Sequence, residues 1–222
     1  VPSAPSGAVL FLTMLTCLAA QAESAWIATH SLSGPVRTKS WKALRDTQVV
    51  KQDLDYSCGA ASLATLLKGF YGQDVTEEAL LKAMDKSDGR ASFEDMQRGL
   101  TQFGFKAQGF AASYEQLVQL RVPVIVYLKH RKDDHFSVLR GIDKNGVWLA
   151  DPSLGNRTYS REQFLEMWET RSSKDDNARL RGKFLAVLPS VPTVAGRSDF
   201  FAKAVRRQTT QAVQQVTVRP LP

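Results

Sequence analysis

Near Val122 the hydrophobic pattern of the chain changes period, and that change fixes the class of fold. Upstream, apolar residues recur at helical spacing. From Cys58 to Phe70 (CGAASLATLLKGF), Ala61, Leu63, Ala64, Leu66 and Leu67 build a broad apolar face. Gly72 ends that helix. Thr76 followed by Glu77 and Glu78 opens a second, with an N-cap and early acids suited to the helix dipole. Ser92 with Asp95 opens a third, running to about Phe103 and stopped by Gly104, and Ser113 with Gln116 opens a short fourth. Downstream, Val122 to Leu128 is a β-branched run and reads as a buried strand. Phe136 to Ile142 and Val147 to Ala150 are two more, joined through Asn145-Gly146, a hairpin signal. Ser160 with Gln163 caps one more helix, residues 171–181 are charged and loop-like, and Phe184 to Leu188 closes the sheet. Helices first and antiparallel strands after is the α+β order. The expected domain spans residues 38–189, preceded by an extension over 23–37 and followed by a basic, flexible tail over 190–222.

The first residues follow a different rule. Ala8 to Ala20 is an apolar run of thirteen residues, ending at Ala20-Gln21-Ala22 and followed by Glu23. A spanning helix needs about 20 apolar residues, whereas a short run closed by A-x-A is the pattern of a cleaved secretory signal over residues 1–22. The competing reading is a buried N-terminal helix. The signal reading implies export to the periplasm, with no transmembrane span after cleavage. The net charge of +7 then belongs to the mature chain, because residues 1–22 carry none. In the tail, Arg197, Lys203, Arg206, Arg207 and Arg219 oppose only Asp199. Such a tail is either a solvated appendage or a contact for an anionic membrane surface. Nucleic acid is not an expected partner beyond a membrane. Phe200-Phe201 within it either docks on the domain or touches lipid.

Removal of the signal leaves Cys58 as the one cysteine. A lone thiol in an oxidising compartment is a liability unless it is buried or used. Cys58 stands at the first turn of its helix, where unpaired N–H groups and the positive dipole end favour a thiolate. Position alone leaves two readings open, a nucleophile or a small buried hydrophobe. His135 begins the strand HFSVLRGI, with Ser137 on the same face, and is the candidate base. Asp151 ends the next strand as the candidate orienting acid, though Asp-Pro is also an ordinary turn. A tight Asn145-Gly146 turn pairs Asp151 with a residue near Arg140, roughly 10 Å or more from His135 at about 3.4 Å per residue. A bulge, a wider loop or strong twist is required to close that gap. Gln52, six residues before Cys58, is a candidate oxyanion donor alongside the Cys58 N–H, or simply a solvated loop amide. His130 and His135 are five apart, which matches neither helix nor strand spacing, and one Cys with scattered His makes no zinc site. No metal or other cofactor is expected.

Taken together, Gln52, Tyr56-Ser57-Cys58-Gly59-Ala60-Ala61, His135-Phe136-Ser137-Val138-Leu139 and Asp151-Pro152 resemble the peptidase C39 family of papain-like, bacteriocin-processing peptidases. The likeness covers about Val49 to Trp168. It implies a papain-like fold, Cys58 as nucleophile, His135 as base, Asp151 as orienting acid and Gln52 as oxyanion donor. The best-known members are fused to transporters and cut after a double glycine. This chain has no Walker A sequence, and Ser57 replaces the Asp often found before the cysteine. Its stand-alone layout, with WKALRDTQVVKQDLDYSCGAASLATLL and LADPSLGNRTYS, is similar to members that serve functional-amyloid export and biofilm formation. That likeness implies amyloid subunits or their export machinery as substrates. Two rival readings share the same residues: acyl transfer on a papain-like fold, and a non-catalytic module that binds or escorts a peptide.

Overall fold

The computed structural model describes residues 24–28, 33–37, 40–86, 89–130, 133–171, 180–192 and 194–204. The apolar run near the N-terminus and the last eighteen residues lie outside them, as does His30. The chain divides into two units between Leu44 and Arg45. In the first, β1 (Ser24–Ala28) and β2 (Ser33–Arg37) pair antiparallel, and a short helix α1 (Trp41–Arg45) begins at its end. The sequence pattern reads this region only as extended.

In the second unit, helix α2 (Cys58–Gly69) is buried on every side except at Lys68. That exceeds the one-sided face read from its periodicity. Its small residues explain the difference, because they let neighbours approach closely from all directions. A Cβ built on Gly59 would lie 2.4 Å from the Met96 methyl, so a larger residue there would require the end of that side chain to move. The two hydroxyls carried into the core are both bonded: Ser62 Oγ donates to the Phe136 carbonyl at 3.1 Å, and Thr65 Oγ1 accepts the Val50 N–H at 2.9 Å. Helices α3 (Glu77–Ala83) and α4 (Phe93–Leu100) follow, and Thr76 and Ser92 cap them as their sequence signals predict.

Next comes a strand with no clear sequence signal, β3 (Phe105–Ala112), then α5 (Tyr114–Gln119). Strands β4 (Val124–His130), β5 (Asp133–Ile142), β6 (Gly146–Asp151) and β7 (Gly155–Ser160) run on in a meander. Helix α6 (Arg161–Trp168) and strand β8 (Gly182–Pro189) complete the elements. The sheet is antiparallel throughout, in the order β3-β8-β4-β5-β6-β7. Alternate residues of each strand enter different cores. Ile125, Phe136, Val138, Ala150 and Leu185 face α2 and α4. Val124, Val126, Leu139, Leu149 and Phe184 face α5 and α6, with Phe164 and Trp168 fully buried among them. Both sheet faces are therefore covered, which accounts for the continuous apolar runs of β4 and β6.

Packing continues past Pro189, where the sequence pattern places the start of a flexible tail. Phe200 is fully buried in the α2 core, and Phe201 packs against the second core. The aromatic pair docks on the domain. No helix among the described residues is long and apolar enough to cross a membrane. Leu66 lies fully buried at the centre of α2. Leu66→Ala should destabilise the fold by about 2–5 kcal/mol, read as a lowered urea midpoint at unchanged slope.

Candidate active site

Cys58 occupies the first residue of α2, and its thiol is free and buried. The preceding Ser57 makes no side-chain cap to the helix. Its hydroxyl instead donates to the Leu54 carbonyl at 2.8 Å and accepts the Leu54 N–H at 3.2 Å. The first-turn N–H groups of α2 are thus not capped by the serine that stands where a cap belongs.

His135 enters from the mouth of β5. Its Nε2 lies 2.8 Å from Asp151 Oδ2, and Cys58 is near enough to favour its charged form. With Nε2 turned to the carboxylate, Nδ1 is the nitrogen left for the thiol. Burial disfavours the imidazolium, but Asp151 and Cys58 outweigh that effect and push His135 up to about 9. Burial also acts against the Asp151 carboxylate. The His135 bond and charge, the Ser137 hydroxyl and the Leu154 N–H overcome it and hold Asp151 below the usual carboxylate range. Ser137 Oγ donates to Oδ2 at 2.7 Å, and the Ser153 and Leu154 N–H groups donate to Oδ1 at 2.9 and 2.8 Å. Every oxygen of the buried carboxylate is engaged.

The gap that a tight turn would leave between His135 and Asp151 is closed by two local features. The β5–β6 loop spans Asp143–Asn145, with Ile142 opposite Val147, and Asp143 Oδ1 accepts the Asn145 and Gly146 N–H groups. A bulge between Leu139 and Gly141 then shifts the register once more, setting Val138 opposite Ala150. The next step brings Asp151 beside Ser137, whose face His135 shares. The loop and the bulge together move Asp151 three residues along β5 from the tight-turn expectation.

Gln52 joins the group from the segment ahead of α2. Its N–H donates to the Pro152 carbonyl at 3.1 Å, its Oε1 accepts the Ser153 hydroxyl at 2.6 Å, and its Nε2 donates to the Leu54 carbonyl at 2.9 Å. A side-chain amide has two N–H donors, and Leu54 takes one. Ser137 and Ser153, which bond to Asp151 and Gln52, are members of the constellation that motif reading passed over. The alternation that pairs Ser137 with His135 on one face was the available signal for the first. Among the described residues no cluster of His, Cys, Asp or Glu fit to hold a metal ion occurs. Beside the site, Phe136 and Ala91 pack against Gly59. They continue into a groove of about 510 Å³ with Phe93 and Tyr127 in its lining and Arg90, Asp134 and Lys183 among its polar residues.

The sequence profile described as the Peptidase C39 family matches residues 46–172, which hold every residue of this constellation. The chain belongs to the peptidase C39 family. It is a cysteine peptidase. Among its relatives, the "Probable functional amyloid protease FapD" of Pseudomonas fluorescens is 34% identical over 168 residues, covering 71% of this chain and 74% of the relative. The protein of the same name from Pseudomonas aeruginosa is 33% identical, covering 72% and 75%. The peptidase domain of Streptococcus ComA shares the fold with a TM-score of 0.53 at 21% identity, over 64% of this chain and 97% of that domain. A double-glycine-motif protease solved with a leader peptide gives 0.51 at 25% identity, over 64% and 90%. The papain-like helix-and-sheet architecture of this C39 peptidase agrees with the α+β order of its sequence.

Two titration outcomes follow. By NMR of the His135 ring, the wild type should titrate near 9, and Asp151→Asn should bring the midpoint down toward the ordinary 6.5. The raised value also links to stability. Protonation of His135 stabilises the fold fully below about pH 6.5, and that contribution is lost as the pH rises through about 9. The stability difference between wild type and His135→Gln should therefore narrow across that window in urea titrations.

Proposed function

We propose that this C39 peptidase hydrolyses peptide bonds of exported proteins through Cys58, His135 and Asp151. The observation that carries the reading is the His135 ring held by Asp151 at 2.8 Å and acted on by the free thiol of Cys58 at the start of α2. Cys58 Sγ attacks the scissile carbonyl as a thiolate, with the proton held on His135. The oxyanion receives the Cys58 N–H and the second amide proton of Gln52. His135 gives its proton to the leaving amine, and a thioester to Cys58 remains. Water attacks that thioester, with His135 as base, and releases the acid and the free thiol. Asp151 keeps the imidazole oriented and offsets its charge. The substrate runs past Gly59 into the groove of Phe93, Tyr127 and Phe136.

The same reading takes residues 1–22 as an export signal and the periplasm as the working compartment, on the strength of the apolar run and its A-x-A end. It takes residues 23–37 as an extension to the 38–189 domain. The likeness to the two FapD proteins, whose names describe functional amyloid proteases, supports amyloid subunits or their export machinery as substrates.

Incubation of the purified enzyme with amyloid subunits and export proteins of its own organism, followed by intact-mass analysis, tests this reading. Fragments summing to substrate plus one water are expected. Amine adducts instead would assign acyl transfer. Cys58→Ala and His135→Ala should each lower cleavage by about three orders of magnitude or more. Gln52→Ala should lower kcat by about 10²–10³. Full biological activity of Cys58→Ala would replace the peptidase reading with that of an escort.

A further inference from the structure

Arg140 is the residue that the β5 bulge inserts between Leu139 and Gly141, and it is buried, 2% exposed. A buried guanidinium is costly unless its donors are paired. Here Nη1 donates to Asn156 Oδ1 at 3.1 Å and to the Thr47 carbonyl at 3.4 Å, and Nη2 donates to Gln48 Oε1. Nε donates to the Phe200 carbonyl at 3.4 Å. The cation stacks on two rings, 4.4 Å from the centre of Trp148 and 4.2 Å from that of Phe200. Neither Thr47, Gln48 nor Phe200 belongs to the sheet. The bulge is held from outside it.

A bulge also takes backbone groups off the strand ladder. The Arg140 carbonyl accepts the Ala202 N–H at 2.8 Å, and the Ile142 N–H donates to the Ala202 carbonyl at 3.3 Å. One segment, residues 197–202, therefore supplies a ring, a carbonyl and two ladder partners to the same bulge. That segment is itself fastened to the helix that carries Cys58. The Arg197 N–H donates to the Phe70 carbonyl at 2.8 Å, just past the end of α2. The Phe200 ring occupies the space left by Gly69, where a Cβ would lie 2.1 Å from it. The segment lies beyond residue 172, where the family match ends.

We propose that Phe200 and Arg140 are positioning residues for the reaction, and that residues 197–202 latch the β5 bulge so that Asp151 stays in register with His135. The inference rests on the Cys58–His135–Asp151 reading. Its physical core is the size of a register error. Loss of the bulge slides β6 by one residue, about 3.4 Å, and turns Asp151 to the other face of the sheet. A hydrogen bond of 2.8 Å does not survive that shift. Without the carboxylate, His135 no longer holds a proton near neutral pH, and the Cys58 thiolate loses its partner.

Alkylation of Cys58 by iodoacetamide at pH 7.5 and pH 9 tests the latch in the full chain, with wild type, His135→Ala, Phe200→Ala, Phe200→Leu and Arg140→Lys side by side. Far-UV circular dichroism at both pH values reports which variants are folded. Wild type should react at pH 7.5 in a manner that His135→Ala abolishes. Folded Phe200→Ala and Arg140→Lys should lose about tenfold at pH 7.5, where an imidazole near the ordinary 6.5 has released its proton, while staying within about twofold at pH 9. A variant that merely loosened the fold would not shift its pH profile in this way. Where Phe200→Ala does not fold, Phe200→Leu and Arg140→Lys decide by the same criterion. Folded variants that keep the wild-type profile, with His135→Ala shifted, overturn the latch and leave the catalytic reading standing. Identical profiles in wild type and His135→Ala overturn the catalytic reading and the latch with it.

Discussion

The bond between His135 and Asp151 is the interaction on which the rest of this molecule depends. It joins neighbouring strands inside a largely dry region, with the imidazole 19% and the carboxylate 4% exposed. Removing two such charges from water is unfavourable, and their attraction offsets that only when the remaining hydrogen-bonding capacity is filled. Asp151 fills it with Ser137, the Ser153 N–H and the Leu154 N–H besides His135. The turn after β6 is therefore a structural part of the ion pair. The covering of both sheet faces has the same consequence. A strand buried on both sides cannot slip by one residue without exposing one apolar set and burying the wrong one. The two cores that stabilise the sheet also keep its register.

Much of this was legible in the sequence, for a physical reason that differs from element to element. The N-caps at Thr76, Ser92, Ser113 and Ser160 act within a single turn, so their signals are local and all four are realised. Cys58 at a helix start and His135 at a strand mouth are likewise local facts. Strand β3, FKAQGFAA, carries Lys, Gly and Ala in place of β-branched residues. It is a strand because eight of its residues pair with β8 from the far end of the domain. Strand β7, GNRTYS, is polar because it forms the other edge of the sheet. The bulge at Arg140 has no marker at all. An Arg inside an apolar strand reads as a residue pointing to water. Its partners, Thr47, Gln48, Asn156 and Phe200, come from three separate stretches of the chain. Only long-range packing makes it a core residue.

The Gln52 side of the constellation is built on a different plan from the side of Cys58 and His135. Cys58 and His135 sit on regular elements, whereas Gln52 lies in a loop and needs ties to be held. Ser153 supplies a large share of them. Its N–H binds Asp151, its hydroxyl binds Gln52 Oε1, and its carbonyl receives Lys51 Nζ at 2.5 Å. With Oε1 held by Ser153 and one N–H given to Leu54, one amide proton of Gln52 remains to donate. Glu77, buried on α3, accepts the Asp53 N–H at 3.3 Å and fastens the next residue of the same loop. One turn thus secures both the Asp151 carboxylate and the Gln52 amide. A disturbance at Ser153 reaches both, so the two halves of the site are mechanically one. That coupling keeps a loop residue in place near a helix terminus.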